Sequence, residues 1–152
     1  MSIDQEVEIL RNIPMFAKID PAKLKLMAFA SKRLTFKPGQ SLFKQGDAGD
    51  AVYIIVEGTA DVIVDTPEGP LTVATFVKND ITGEIAILCD VPRTATVTAT
   101  SGLTVLKITR DLFYRMLMDF PEMGIEIMRV LAHRLELTTA QLLQARASSQ
   151  GS

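Results

Sequence analysis

The chain has 152 residues, of which 47% are hydrophobic, and a formal net charge of −2. This length suits one domain with a substantial core, so a second folded domain, such as a DNA-binding domain, is not expected. The 16 Lys and Arg residues are spread along the chain rather than gathered into the basic stripe that follows a phosphate backbone, which argues against a nucleic-acid partner.

The N-terminal region is predicted to be helical from residue 4 to residue 30. Residues 4–11 have the pattern of a short amphipathic helix. Asp20 followed by Pro21 combines an N-cap residue with proline at the first helical position, and it predicts a second helix over residues 21–30.

Turn signals then recur at intervals of roughly eight to twelve residues, which is typical of an all-β sandwich or barrel. Between them, apolar and polar residues alternate with the period of a strand, as in Ala60, Val62 and Val64. We therefore predict a mainly β fold with flanking helices, in which residues 31–109 form a β-roll of the eight-stranded, jelly-roll type. The predicted strands lie near residues 32–36, 41–44, 51–57, 59–65, 71–76, 95–100 and 103–108.

Two further helices are predicted after the strands. The first covers residues 110–120 and is stopped by Pro121, which then opens a long last helix over about 122–145. Together these helices would form a lid over residues 110–145 and complete a domain of residues 1–145. The polar tail, residues 146–152, is predicted to be disordered.

The last helix carries an apolar seam with the 3–4 spacing of a coiled coil. We call these residues the seam: Met128, Leu131, Leu135, Thr138, Leu142 and Ala145. One interpretation is a homodimer formed through this helix, and the other is an amphipathic helix that packs on its own barrel.

Residues Gly83 to Thr100 bring together groups that suit a nucleotide. A helical turn that starts at Gly83-Glu84 presents free backbone N–H groups to a phosphate. Arg93 can add charge-assisted hydrogen bonds to the same phosphate, and Thr94 a hydroxyl donor. Glu84 accepts hydrogen bonds only, so it suits sugar hydroxyls. An arginine reserved for a ligand in this way is expected to do little structural work.

These residues resemble the phosphate-binding cassette of the cyclic-nucleotide-binding domain family, and the resemblance extends over nearly the whole chain. The matching positions are Gly83, Glu84, Ala86, Leu88, Pro92, Arg93, Ala95, Thr96 and Val97. The resemblance implies that Arg93 binds the cyclic phosphate and Glu84 the ribose 2′-hydroxyl, with the amides around Ile85 completing the cradle. The candidate phosphate and ribose contacts are therefore Gly83, Glu84, Ile85, Ala86, Arg93, Thr94 and Ala95. Two positions depart from the family pattern: Thr82 replaces an aromatic residue, and Asn79-Asp80 replaces Gly-Asp.

Two groups of residues bear on the choice between adenine and guanine, and they favour different bases. Thr94 follows the phosphate-binding arginine, where members that prefer cyclic GMP often carry threonine. The last helix is also similar to the long helix of the catabolite activator proteins, which implies base and lid contacts from Arg134, Thr138 and Thr139. Val62 and Val73 are apolar positions that could pack on either base. We expect cyclic AMP to be favoured modestly over cyclic GMP.

Other functions fit the sequence less well. A jelly-roll metalloenzyme needs a ligand cluster, but His133 is the only histidine and Cys89 the only cysteine, so neither a metal site nor a nucleophilic catalytic site can be assembled. We expect no enzyme activity and no cofactor. A ligand-independent dimerisation module stays open as an alternative. The sequence shows no signal peptide or membrane span, and the unpaired Cys89 fits a reducing cytoplasm. We therefore expect a cytoplasmic sensor with an unidentified regulated protein as partner and no membrane partner.

Overall fold

The computed structural model describes residues 3–150, and for residues 149 and 150 it describes the backbone alone. The chain starts with α1 (Ile3–Arg11), a 3-10 turn (Pro14–Phe16) and α2 (Pro21–Ala30). The start of α2 is fixed by Asp20, whose Oδ1 accepts a hydrogen bond of 3.0 Å from the Ala22 amide. This contact satisfies one of the amides that a helix start leaves free.

Eight strands follow and form two antiparallel sheets of four strands each, in the orders β1-β8-β3-β6 and β2-β7-β4-β5. This arrangement confirms the predicted jelly-roll β-roll with flanking helices. The two-residue strand β6 was not predicted, because it is too short to show an alternating pattern. The strands are β1 (Lys32–Phe36), β2 (Ser41–Phe43), β3 (Ala51–Glu57), β4 (Ala60–Thr66), β5 (Gly69–Phe76), β6 (Ile81–Thr82), β7 (Thr96–Ala99) and β8 (Leu103–Thr109).

Strand β3 separates the two parts of the core and is buried on both faces. On one face, Ala51, Tyr53 and Ile55 pack between the two sheets. On the other face, its remaining apolar residues pack against the N-terminal and C-terminal helices. Because both faces are covered, the strand reads as a continuous apolar run rather than as an alternating one. The helices are thereby held against one of the two sheets.

Between β6 and β7 lies the short helix α3 (Glu84–Leu88), and after β8 come α4 (Arg110–Asp119) and α5 (Pro121–Gln150). Helix α4 ends one residue before the predicted position, because Phe120 precedes a proline and is not helical, with φ −132° and ψ 79°.

Helix α5 continues through residues 146–150, the first part of the tail that was predicted to be disordered. The physical reason is composition. Residues 146–150 contain no glycine or proline, and alanine, arginine and glutamine are compatible with a helix interior. Residues 151 and 152 lie outside the described part of the chain.

Helix α5 leaves much of its seam exposed. Met128, Leu135 and Leu142 are 62%, 67% and 59% exposed, whereas Leu131 is half-buried against the helix-side core. Among residues 3–150, no helix is both long enough and apolar enough to cross a membrane. From Leu135 onward, every residue of the seam is exposed.

Candidate functional site

The turn that opens the cassette depends on glycine at position 83. Gly83 has φ 92°, which is in the left-handed region that favours glycine. A Cβ atom built there would lie 2.7 Å from Arg93 Nη1 and 3.1 Å from the Ala51 carbonyl oxygen. The close approach of the Arg93 side chain to the turn therefore leaves no room for a larger residue.

Arg93 is 3% exposed and is held mainly by backbone groups. Its Nη1 donates a hydrogen bond of 2.8 Å to the Gly83 carbonyl, and its Nη2 donates one of 2.7 Å to the Ala51 carbonyl. Asp50 is more distant, with 3.6 Å between its Oδ1 and Nη2. Burial lowers the pKa of the Arg93 guanidinium, and the negative groups nearby oppose this shift.

The third nitrogen of the guanidinium is different. Within the described residues, Arg93 Nε is buried and has no hydrogen-bond partner. A donor of a buried charged group that has no partner costs free energy. An acceptor that bound to Nε would remove that cost. The expectation that Arg93 does little structural work is wrong, because its other two nitrogens connect the cassette to strand β3.

Glu84 is also buried, at 1% exposed, and its carboxylate is paired with Arg134 of helix α5. Arg134 Nη1 donates to Glu84 Oε1, and Arg134 Nη2 donates to the Ile81 carbonyl at 2.5 Å. The guanidinium of Arg134 lies 4.8 Å from the centre of the Phe76 ring. Burial raises the pKa of the Glu84 carboxyl, while the charge of Arg134 opposes that shift.

A cavity of about 70 Å³ lies between these groups and has room for several water molecules. Nine of the residues predicted from the sequence line it: Val62, Gly83, Glu84, Ile85, Ala86, Arg93, Thr94, Ala95 and Arg134. The predicted phosphate and ribose residues are thus brought to one place together with Arg134 of the predicted lid, and both a positive and a negative residue line the cavity.

Three predicted residues, Val73, Thr138 and Thr139, are not part of this lining as the structure describes it. Val73 lies in β5 at a β-bulge, where Val62 pairs with Ala74 and the next residue, Ile63, pairs with Thr72. The extra residue breaks the alternation of side chains along β5 at Val73. Thr138 and Thr139 are exposed on α5, about one turn beyond Arg134.

Four lining residues were not predicted as site residues: Phe43, Phe76, Thr82 and Val97. Thr82 and Val97 flank or belong to the cassette pattern, so proximity in sequence was an available signal. Phe43 ends a strand that is distant in sequence from the cassette, whereas Phe76 ends strand β5, shortly before it. In neither case does a local pattern indicate that the ring turns toward the cassette.

A larger cavity of about 530 Å³ lies elsewhere, between the 3-10 turn, α2 and the start of α5. It carries both basic and acidic side chains, and no buried unpartnered polar side-chain atom is recorded among its described lining residues. No group of histidine, cysteine and acidic residues suitable for a metal ion occurs in the part of the chain that is described. The smaller cavity is therefore the candidate site.

Comparison with known proteins agrees with this geometry. Residues 33–120, more than half of the chain, match the model of the family described as "Cyclic nucleotide-binding domain". The CRP-like cAMP-activated global transcriptional regulator of Mycobacterium tuberculosis is 29% identical over 136 residues, which are 89% of this chain and 61% of the regulator. The cAMP-dependent protein kinase regulatory subunit of Aspergillus niger is 33% identical over 108 residues, 71% of this chain and 26% of the subunit.

A solved structure is also similar. It is the regulatory subunit of a cAMP-independent protein kinase A from Trypanosoma brucei, in a mutant form bound to cAMP in its A site. The TM-score is 0.75 and the identity 26%, over 84% of this chain and 46% of that one. This chain thus spans less than two thirds of the length of each of these relatives. Cyclic nucleotide-binding domains are regulatory and non-enzymatic. The chain belongs to the cyclic nucleotide-binding domain family.

Proposed function

We propose that this chain binds one cyclic mononucleotide in the cavity beside Arg93 and Glu84, with cyclic AMP preferred over cyclic GMP. The observation that carries the proposal is the buried, unpartnered Nε of Arg93, a residue that lines the cavity together with Glu84. A phosphate oxygen satisfies that donor, and a ribose hydroxyl donates to the carboxylate. Backbone amides from Glu84 to Ala86 and the Thr94 hydroxyl complete the set.

Ligand binding is expected to move helix α5. Pockets for ligands of this size usually measure about 300–1,000 Å³, whereas the cavity with Arg134 in place is about 70 Å³. Arg134 therefore shifts to admit the nucleotide. Since Arg134 is bound to both Glu84 and Ile81, occupancy of the site changes the contacts that hold α5. The ligand moves the equilibrium only as far as its affinities for the two helix positions differ.

A second connection runs from the cassette to α4. The Tyr114 hydroxyl donates a hydrogen bond of 2.7 Å to the Ile87 carbonyl at the end of α3. Arg110 Nη2 lies 3.3 Å from Asp90 Oδ1 in the loop that follows. These contacts support transmission from the phosphate site through α4 to α5.

The preference for cyclic AMP rests on two hydroxyls and on the relatives. Thr94 lines the cavity and is a candidate partner for guanine. Thr138 comes about one turn after Arg134 and reaches a base only when α5 moves toward the cavity. One neutral hydrogen bond contributes about 0.5–1.5 kcal/mol, so the selectivity is about tenfold or less. The names of the bacterial and fungal relatives refer to cAMP, which supports cyclic AMP as the favoured ligand.

We also propose that the protein is cytoplasmic and regulates a partner protein. The exposed part of the seam supports a homodimer through α5. Leu135 and Leu142 are seven residues apart and exposed, so they lie on one side of the helix, as a coiled-coil pairing requires.

Thermal unfolding with and without nucleotide tests the binding proposal. Ligand at about 100 times its dissociation constant stabilises the fold by about 2.7 kcal/mol, which raises the melting temperature by roughly 5–10 °C for a domain of this size. Adenosine, which lacks the phosphate, serves as the control and should give a much smaller shift. If millimolar cyclic AMP and cyclic GMP both leave the melting temperature unchanged, the chain is a ligand-independent module.

A further inference from the structure

Phe43 covers the flat face of the arginine that carries the binding proposal. Its ring centre lies 4.0 Å from the guanidinium carbon of Arg93, and Phe43 itself lines the cavity. On the core side, the Phe43 ring packs against Tyr53, with 5.8 Å between the ring centres. Phe43 is therefore held between the core and the guanidinium.

The hydrogen bonds of Arg93 do not fix its orientation by themselves. Nη1 and Nη2 are bound to the carbonyls of Gly83 and Ala51, but the plane of the guanidinium can still tilt about the line that joins these two nitrogens. Such a tilt moves Nε, the unpartnered donor, toward or away from the cavity. A ring stacked on the face of the guanidinium opposes that tilt through contact and through the cation–π attraction.

The Phe43 ring is uncharged, which also matters for the binding of an anionic ligand by Arg93. Asp50, the carboxylate paired with Arg93, is 3.6 Å away and 70% exposed. The other neighbours of the guanidinium are two carbonyl dipoles, at 2.8 and 2.7 Å, and an aromatic ring, which stabilise a cation without carrying a full negative charge. The positive charge of Arg93 thus stays available to a phosphate.

We infer that Phe43 is a positioning residue for the ligand phosphate, holding the guanidinium plane of Arg93 so that Nε faces the cavity. This inference rests on the proposed function. Phe43 lies at the end of strand β2, far along the chain from the cassette. No sequence pattern there indicates a role in binding.

The affinity test uses calorimetry with cyclic AMP on the unmodified protein and on Phe43→Leu, Phe43→Tyr and Phe76→Leu. Phe43→Leu keeps an apolar side chain and loses the ring, and it should weaken binding by about 3- to 30-fold, the range that a cation–π contact corresponds to. Phe43→Tyr restores the aromatic face and should stay within about threefold of the unmodified protein. Phe43→Leu in an Arg93→Lys background should cause little further loss, because the planar group that the ring positions is gone.

A spectroscopic measurement separates positioning from packing and needs no ligand. The Nε–H resonance of Arg93, assigned by its absence in Arg93→Lys, should exchange faster with water in Phe43→Leu. Its exchange rate is the readout, because loss of the ring current shifts the resonance in any case. The exchange rate should be unchanged in Phe76→Leu, the matched control, whose ring covers Arg134 instead. An unchanged exchange rate in Phe43→Leu, or an equal loss of affinity in the Arg93→Lys background, overturns the inference. If the unmodified protein binds neither cyclic nucleotide, the proposed function is wrong, and the resonance alone decides whether Phe43 positions Arg93.

Discussion

The cassette and the far half of helix α5 are held in opposite ways. In the cassette, Glu84 and Arg93 are almost fully buried, and the backbone of Arg93 is bound on both sides, to Gly46 and Asp47, at 2.8 Å each. On α5, every described side chain after Arg134 is exposed, from Leu135 through residue 148. The cassette is thus fixed by the barrel, whereas α5 is attached to the site mainly through Arg134.

Under the proposed function, the difference separates a fixed phosphate-binding cassette from a helix that responds to the ligand. Elements with few buried contacts open at low free-energy cost, while buried elements open only near global unfolding. A ligand that alters the contact between Glu84 and Arg134 therefore acts on the part of the chain that moves most easily. The following experiments test whether the two regions differ as described.

The largest effect is expected from Arg93→Ala, which removes a buried side chain of the cassette. Affinity for cyclic AMP should fall by about a hundredfold or more, because charge-assisted hydrogen bonds contribute about 1.5–3 kcal/mol each. The fold should also lose roughly 3 kcal/mol of stability, since two buried carbonyls lose their donor. Chemical denaturation and calorimetry measure both. Arg115→Ala, at an exposed position, is the control, and an Arg93 variant of unchanged stability would contradict the structural role.

The seam on α5 predicts a dimer whose disruption leaves the barrel folded. Leu135→Gln with Leu142→Gln should shift the sedimentation profile toward monomer without lowering the stability of the domain, since both side chains are exposed. Leu131 is unsuitable for this purpose because it packs on the core of its own chain. Leu137→Gln, an exposed leucine outside the seam, should leave the profile unchanged. Monomeric unmodified protein at high micromolar concentration would rule the dimer out.

Removing the attachment of α5 should release it without altering the cassette. Arg134→Gln loses the contacts to Glu84 and Ile81, so hydrogen-exchange protection around residues 130–140 should fall about tenfold, as expected for one charge-assisted bond. Protection of the buried strand β3 should stay the same. Arg129→Gln is the control, because Arg129 pairs with Glu126 on its own helix and is 72% exposed. Equal effects in the two variants would mean that Arg134 does not hold α5.

The raised pKa of Glu84 predicts opposite pH trends for stability and for binding. Because the folded protein binds this proton more readily than the unfolded chain does, the contribution of Glu84 to stability is complete below the ordinary value of 4.5. It is lost as the pH rises through the raised pKa. Nucleotide affinity should rise over the same window, because the ionised carboxylate is the better acceptor. Melting temperature and nucleotide affinity are measured as functions of pH for the unmodified protein and for Glu84→Gln, and the difference between the two proteins isolates both trends. If the two proteins show the same pH dependence, Glu84 is not the group responsible.

The smallest effects are expected at the two threonines that bear on base choice. Thr138→Ala should reduce affinity for cyclic AMP selectively, and Thr94→Ala should reduce affinity for cyclic GMP more, each by about tenfold or less. Competition titrations of both nucleotides measure the ratio. Tighter binding of cyclic GMP that is lost in Thr94→Ala would reverse the preference and leave the binding site unchanged.

The same contrast explains which features could be predicted from the sequence. The cassette is a local pattern, so its residues were found together, and the strand periodicity predicted the β-roll. The structural role of Arg93 could not be predicted, because its partner Ala51 is 42 residues away in the chain. Phe43 was missed for the same reason, and Phe76, although close in sequence to Gly83, was missed because no local pattern indicates where its ring turns. Val73 lies outside the cavity lining, at a bulge that only strand pairing reveals. Helix α5 extends beyond its predicted end, where exposed residues give no periodic signal.

Calorimetric titration of the unmodified protein with cyclic AMP, and then with cyclic GMP, tests the central claim most directly. The account predicts saturable binding of one nucleotide per chain, with cyclic AMP tighter by up to about tenfold and no comparable binding of adenosine. A folded protein that releases no heat and shows no competition with either cyclic nucleotide at millimolar concentration would contradict it.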